Sequence, residues 1–453
     1  MKSHLCTSLL ALSIIAGAGI GLVLWQPRAP HYEGRSIHAW LKQLESDDFQ
    51  TRDRAAAAVV SLGAQSVPAL VRALRTKDSI LKQEALAWLR KLTPLRFRIV
   101  TPAFVRQRAA TLLGKIGPAA REAIPALITA LGDGQESVRT EAAQALRSIG
   151  AESVPPLIEA LARPEASLRA QAAKLLRDFP REAPRAVPPL QSILNDSADS
   201  VRAQTATSLG ILGTGNEAVL RDLLPLLRDP QTEVRAATAE AVGRIGLADA
   251  NAIAELDAAL SDANAPVRVQ AAAAHWALTH EPARSLPVLI QALQEPQVHW
   301  QAALALGKMG PHAEPAIPAL IEALQREKTH RPIRTPASAA LALREVGPAA
   351  VPPLIELLAH ERSDVRIGAA IALAKNGPQA KAAVPRLIAM LGERDSEVRQ
   401  AAAYTLGSIG PEARAALPAL EAAYEEPDEF LRDCAGQAMT RILTQTAAHP
   451  LPQ

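Results

Sequence analysis

Residues 383–410 read AVPRLIAMLGERDSEVRQAAAYTLGSIG. The stretch has two halves. Apolar residues recur three and four apart in each, the period of an α-helix with one buried face. Pro385 stands in the first turn of the first half, where a missing N–H costs nothing. The second half runs from Val398 to Ile409 and meets Gly410-Pro411. Glycine can supply a left-handed helix end, and the proline after it cannot continue the helix. Between the halves lies a short polar turn, so the stretch reads as one helix–turn–helix unit.

The unit is repeated along the chain. The phrase V-R-x-x-A-A-x-A-L-G-x-I-G begins at Val105, Val138, Val201, Val234, Val267, Val298, Val365 and Val398, with weaker copies at Thr51, Leu81, Leu168, Thr335 and Leu431. The usual interval is about 33 residues, within the range of helix-pair repeats. Prolines at 68, 125, 188, 225, 287, 318, 352, 385 and 418 open the first helices, and Gly-Pro steps at 117, 310, 347, 377 and 410 close the second. Ser36–Glu45 reads as an opening helix. No stretch alternates with period two, so no strands are expected.

These phrases resemble HEAT repeats, with the short period of the HEAT-like repeats first known from phycobilisome lyases. The resemblance covers about residues 36–445. It implies an all-α solenoid, a superhelix of about a dozen antiparallel helix pairs. The lead-in Tyr32-x-Gly34-Arg35-Ser36-x-x-x-Trp40-Leu41 also resembles the segment before the array in membrane-anchored bacterial HEAT proteins. The expected organisation is an N-terminal apolar helix in residues 1–26, a linker 27–35, the solenoid 36–446 and a tail 447–453. Two stretches break the period. Pro94–Phe104 is too short for a full first helix and reads as a degenerate repeat. Arg326–Pro336 reads as a polar surface loop.

Composition narrows the function. Of 453 residues, 48% are hydrophobic but only 3% aromatic, so the core is built of Ala, Leu, Ile and Val. A net charge of +3 gives no warrant for nucleic-acid binding. Two cysteines, Cys6 and Cys434, exclude a disulfide framework and a cysteine zinc site within the array. Residues 5–25 carry no charge and are long enough to span a bilayer, with Trp25 at the interface. The expectation is a membrane anchor with the solenoid exported. The alternative is a signal peptide cleaved near Ala16-Gly17-Ala18. The Gly17/Gly21 step is read as composition rather than a helix-pairing motif.

Position two of the second phrase, counted from its Val, is a basic column: Arg139, Arg202, Arg235, Arg268, Arg366 and Arg399 among others. Acids precede it in the turns: Asp133, Asp196, Asp229, Asp262, Asp364, Asp395 and Asp428. An anion-binding stripe is one reading. The favoured one is a structural Asp–Arg ladder, because the guanidinium fork matches a carboxylate and fixes register. The resemblance also implies such a ladder.

Positions one, five, nine and twelve share one side of the second helix and form the core; three, four, seven and eleven lie opposite and face solvent. In the early copies the outward positions are polar or small. From Val267 onward positions three and seven become apolar: Val269, Trp300, Leu304, Leu341, Ile367, Ile371 and Tyr404. An exposed apolar strip marks a partner surface, and Trp and Tyr are common anchors. The alternative is that the array curls or the 326–336 loop covers it.

The histidines offer little chemistry. His275 falls at position nine, in the core, and His299 at position two, in the ladder. They stand about 10 Å apart along adjacent helices, too far for one ion. The resemblance raises one enzymatic alternative. Deoxyhypusine hydroxylases, which are HEAT-like, bind iron through His-Glu pairs at positions three and four. Here those positions hold Thr140-Glu141, Val269-Gln270 and Trp300-Gln301, and His280-Glu281 and His360-Glu361 lie in turns. There is no lyase motif and no Walker, HExxH or GxSxG pattern. The expected function is a non-catalytic scaffold with no cofactor or metal that binds a protein partner through the concave face, which the resemblance implies the second helices line. The alternatives are a metal-dependent or lyase-type enzyme and a plain envelope spacer.

Overall fold

The computed structural model describes residues 31–44, 46, 48–76, 101–327 and 337–444. The apolar segment 5–25, the weak copy at Leu81, residues 94–100, most of the polar insertion and the tail lie outside them. Among the described residues no single helix is long and apolar enough to cross a membrane.

The described chain falls into two compact units divided between Pro189 and Leu190. Each is a stack of helix pairs in two layers, one of first helices and one of second helices. In the first unit the second helices include Phe49–Ser61, Pro102–Ile116, Glu136–Ile149 and Ala166–Leu176. In the second unit they are Asp199–Leu212, Thr232–Ile245, Ala265–Thr279, His299–Met309, Ser338–Val346, Ser363–Ala374, Ser396–Ile409 and Glu429–Thr444. Their Val, Ala, Leu and Ile at positions one, five, nine and twelve are buried against the first helices, as at Val138, Ala142, Leu146 and Ile149.

Four local expectations are corrected. A small hairpin is present: strands His31–Tyr32 and Arg35–Ser36 pair antiparallel around Glu33-Gly34. Its purpose is to seat Trp40, which is fully buried and donates its indole N–H to the Tyr32 carbonyl at 3.0 Å. The opening helix runs Ile37–Gln43, capped by the Ser36 hydroxyl. Phe104 belongs to a second helix, Pro102–Ile116, rather than to a degenerate first one. Pro188 and Pro287 lie inside the longer helices Ala183–Ser192 and Pro282–Ala292. Pro282–Ala292 has no 3-10 turn ahead of it, whereas Ala183–Ser192 follows one at Pro180–Glu182 and still starts five residues before Pro188.

Most closing glycines take positive φ, Gly213 at −97° being an exception, and most of those do not adopt the left-handed helical shape. Gly117 has φ 68° and ψ −138°, and Gly410 has φ 74° and ψ −140°. Both precede proline, whose ring disfavours the helical region for the residue before it. Gly246, followed by Leu247, does adopt the left-handed form at φ 75° and ψ 19°.

Candidate protein-docking surface

The arginine at position two clamps two turns at once. Nη1 of Arg235 donates to the Asp229 carbonyl in its own turn at 2.8 Å, while Nε and Nη2 grip the Asp262 carboxylate, 27 residues ahead, at 2.8 and 3.0 Å. Arg202 does the same between Asp196 and Asp229, and Arg106 grips Asp133. Each acid also accepts the backbone N–H two residues on: Asp133 from Gln135, Asp196 from Ala198, Asp229 from Gln231 and Asp262 from Asn264. It therefore shapes its turn before it receives the arginine.

The rungs are electrostatically marked. Arg235 holds the Asp262 carboxyl below its ordinary range against an opposing effect of burial. Burial would raise Asp229, but Arg202, the Gln231 N–H and Arg235 together outweigh it and leave the carboxyl lowered. Arg202 and Arg235 are raised, chiefly by the hydrogen bonds to their carboxylates.

Several rungs differ from expectation. Arg268, Arg366 and Arg399 reach Glu295, Glu393 and Glu426, each 27 residues ahead. Asp364 is held by Arg362, Asp395 caps its own helix by accepting the Glu397 N–H, and Asp428 is held by Ser396 and Gln400. The signal overlooked in the sequence is the constant spacing, which marks glutamates as well as aspartates. Arg139 donates to the Asp133 and Gly134 carbonyls. It meets no carboxylate within ion-pair distance among the described residues, and Arg163 stands where the neighbouring acid would be, six residues before Arg169. His299 occupies the ladder place, with Nδ1 on the Pro296 carbonyl at 2.8 Å and Nε2 3.7 Å from Glu327.

A second device sets the spacing of the second helices. Position ten is glycine in five of the described copies, and it lies against the alanine at position eight of the next. A Cβ on Gly210 would stand 2.6 Å from the Ala241 Cα, on Gly243 2.8 Å from Ala274 and on Gly407 2.7 Å from Ala438. Position eight is therefore core, which the four-position face missed. In the copy at Val267, position ten is Trp276. It is buried beside the His280 and His312 rings, at 5.4 and 5.0 Å between centroids. Of all successive second helices in the second unit, Ala265–Thr279 and His299–Met309 touch least. The neighbouring His275 is buried, with Nδ1 3.0 Å from the Ser285 hydroxyl and Nε2 3.3 Å from Asp257, which Arg284 also approaches at 3.3 Å.

The apolar strip is narrower than its sequence positions imply. Trp300 and Leu304 are each 51% exposed and Tyr404 47%, while Leu341 and Ile367 are half-buried. Val269 and Ile371 are buried, at 1% and 7%. Position three lies only about 20° around the helix from position ten, the side applied to the next second helix. Val269 is buried on that side of its helix, and so is Ala203 on Asp199–Leu212. Ile371 sits on a recessed helix: a Cβ on Gly368 would stand 2.9 Å from Leu324 Cδ1, so the backbone there runs deep and its neighbours cover position seven. Trp300 escapes because the helix beside it begins only at Ser338, position four of its copy. Among the described residues no group of three His, Cys, Asp or Glu is placed to hold a metal ion.

The repeats match the HEAT-repeat family model over residues 101–177, 154–243, 187–275, 253–342 and 351–440, and residues 336–360 match the PBS lyase HEAT-like repeat. No curated protein matches the chain. Among solved structures, importin beta is similar over 91% of this chain and 56% of its own length, at 17% identity and TM-score 0.52. The Kap95:Nup1 complex matches over 90% and 61%, at 13% identity and TM-score 0.52. The chain thus spans little more than half the length of these solenoids. Human deoxyhypusine hydroxylase matches 71% of this chain and 96% of its own, at 21% identity, but its TM-score of 0.26 carries no argument. With family matches over most of its length, and helix pairs that repeat one ladder and one set of capping glycines, the chain belongs to the HEAT-repeat family.

Proposed function

We propose that the chain is a non-catalytic scaffold that docks a protein partner on the second-helix face of its second unit. We further propose that it is of the membrane-anchored bacterial type, with residues 5–25 as the tether and the repeats exported. The observation that carries the docking reading is the pair Trp300 and Leu304. They stand one helical turn apart, each with half its surface in water. Leu341, Ile367 and Tyr404 continue the strip over the next three second helices. Large apolar side chains exposed as a contiguous group mark interaction sites, and truncating a central aromatic anchor typically costs 2 kcal/mol or more of binding, roughly thirtyfold. The Kap95:Nup1 complex, similar in fold, pairs its solenoid with a protein partner, which supports the same class of function here.

The test is capture after crosslinking in native membranes, comparing the natural chain with Trp300→Ala/Leu304→Ala. Both positions are exposed, so helicity and thermal midpoint should stay within error while capture falls at least tenfold. Equal capture by the double variant overturns the reading. Ile371 is no site for such a test, because a charge there would disturb folding.

A further inference from the structure

We propose that the strip takes an amphipathic α-helix of about 16–20 residues that carries carboxylates along one edge of its apolar face. This rests on the docking reading and names the partner's chemistry.

The strip is long and narrow. Trp300 with Leu304, then Leu341, Ile367 and Tyr404, lie on four successive second helices that pack directly against one another. At roughly 8–10 Å per helix, the strip runs about 25–30 Å. Its width is about one helical turn, the distance from position three to position seven. One apolar ridge of a helix fits that footprint at ~1.5 Å per residue. An extended segment fits it poorly, because it would need backbone partners, and a wall of α-helices offers no strand edge for it to join.

Charge then selects the helix. One turn beyond the strip, toward the C-terminal ends of the second helices, position eleven carries Lys308, Glu345 and Lys375. Lys308 is exposed and meets no carboxylate within ion-pair distance among the described residues. Lys375 and Arg344 share the single carboxylate of Glu345, which Lys375 holds below its ordinary range. Three cations thus face one anion along this rim. Along the opposite rim, Asp364 is bound by Arg362 and Glu397 is exposed. A helix with acidic residues on one edge and none on the other matches both rims in a single orientation, and complementary charge of this kind fixes register and partner choice more than raw affinity.

The experiment uses the full chain in detergent and two labelled helical peptides of 18 residues with the same Leu/Ile face. One carries Glu along one edge, the other Lys at the same positions. Fluorescence anisotropy at low salt should show the Glu-edged peptide binding about tenfold tighter, with the advantage shrinking as salt rises. Lys308→Glu/Lys375→Glu should reverse the preference, and Trp300→Ala should weaken both peptides. Equal binding that still depends on Trp300 overturns the acidic-edge inference and leaves the docking reading standing. Binding indifferent to Trp300 overturns both. No binding of either peptide overturns the inference, and the capture experiment above then decides the docking reading on its own.

Discussion

Asp229 and Asp262 each shape a turn with one oxygen and receive an arginine of the preceding repeat with both. Because their folded carboxyls lie below the ordinary range, the unfolded chain binds protons at a higher pH than the folded one. Their contribution is therefore complete above the unfolded carboxylate range, about pH 5 and higher, and is lost as pH falls through the lower folded values. Asp262→Asn should lower stability by about 1–3 kcal/mol near neutral pH, since it leaves the enclosed Arg235 guanidinium short of its acceptor. The gap to the natural protein should close as pH drops toward 3, which urea midpoints across a pH series would show. A gap that is independent of pH would mean the carboxylate's charge has no part in the rung. The ladder was legible in the sequence as a pairing of column and turn. Which acids serve was not, because Glu295, Glu393 and Glu426 show themselves only when the spacing is held constant.

Between helices, the deciding contact is glycine at position ten on alanine at position eight. Replacing Gly210 by Ala improves helix propensity by roughly 1 kcal/mol, yet the new Cβ would meet the Ala241 backbone at 2.6 Å. Overpacking against backbone typically costs about 1–3 kcal/mol, so Gly210→Ala should destabilise the chain in chemical denaturation. A rise in stability would show that propensity governs the joint. In the first unit, the place of a ladder acid is taken by Arg163, and among the described residues Arg139 donates to carbonyls and meets no carboxylate. Arg163→Asp should stabilise by ~1 kcal/mol, read as a higher urea midpoint, with Arg139→Ala cancelling the gain. Val269 illustrates why this scale was hard to read from sequence. A helical wheel separates inside from outside for one helix, but a solenoid has lateral neighbours as well. Position three lies beside position ten, the side applied to the next second helix, and the start of that helix at Ser338 leaves Trp300 open.

For the whole molecule, architecture was the most legible level, because the same unit is written many times and errors in one copy are corrected by the others. The hairpin at residues 31–36 escaped because two-residue strands carry no alternation. The interior Pro188 and Pro287 escaped because proline is read as a boundary. The proposed tether has its own test. Removing residues 1–26 should move the chain from the membrane pellet to the supernatant while its helicity is kept, and retention in the pellet would assign membrane attachment to the repeats. The Trp276 joint has a mechanical consequence. Links arranged in series carry the same tension, and the most compliant link takes up most of the extension. A pull on the second unit through a bound partner would therefore be absorbed first where Trp276 holds two second helices apart, immediately before Trp300. The docking strip would begin at the second unit's softest joint, and tension would alter the setting of its leading anchor before any other joint of that unit gave way.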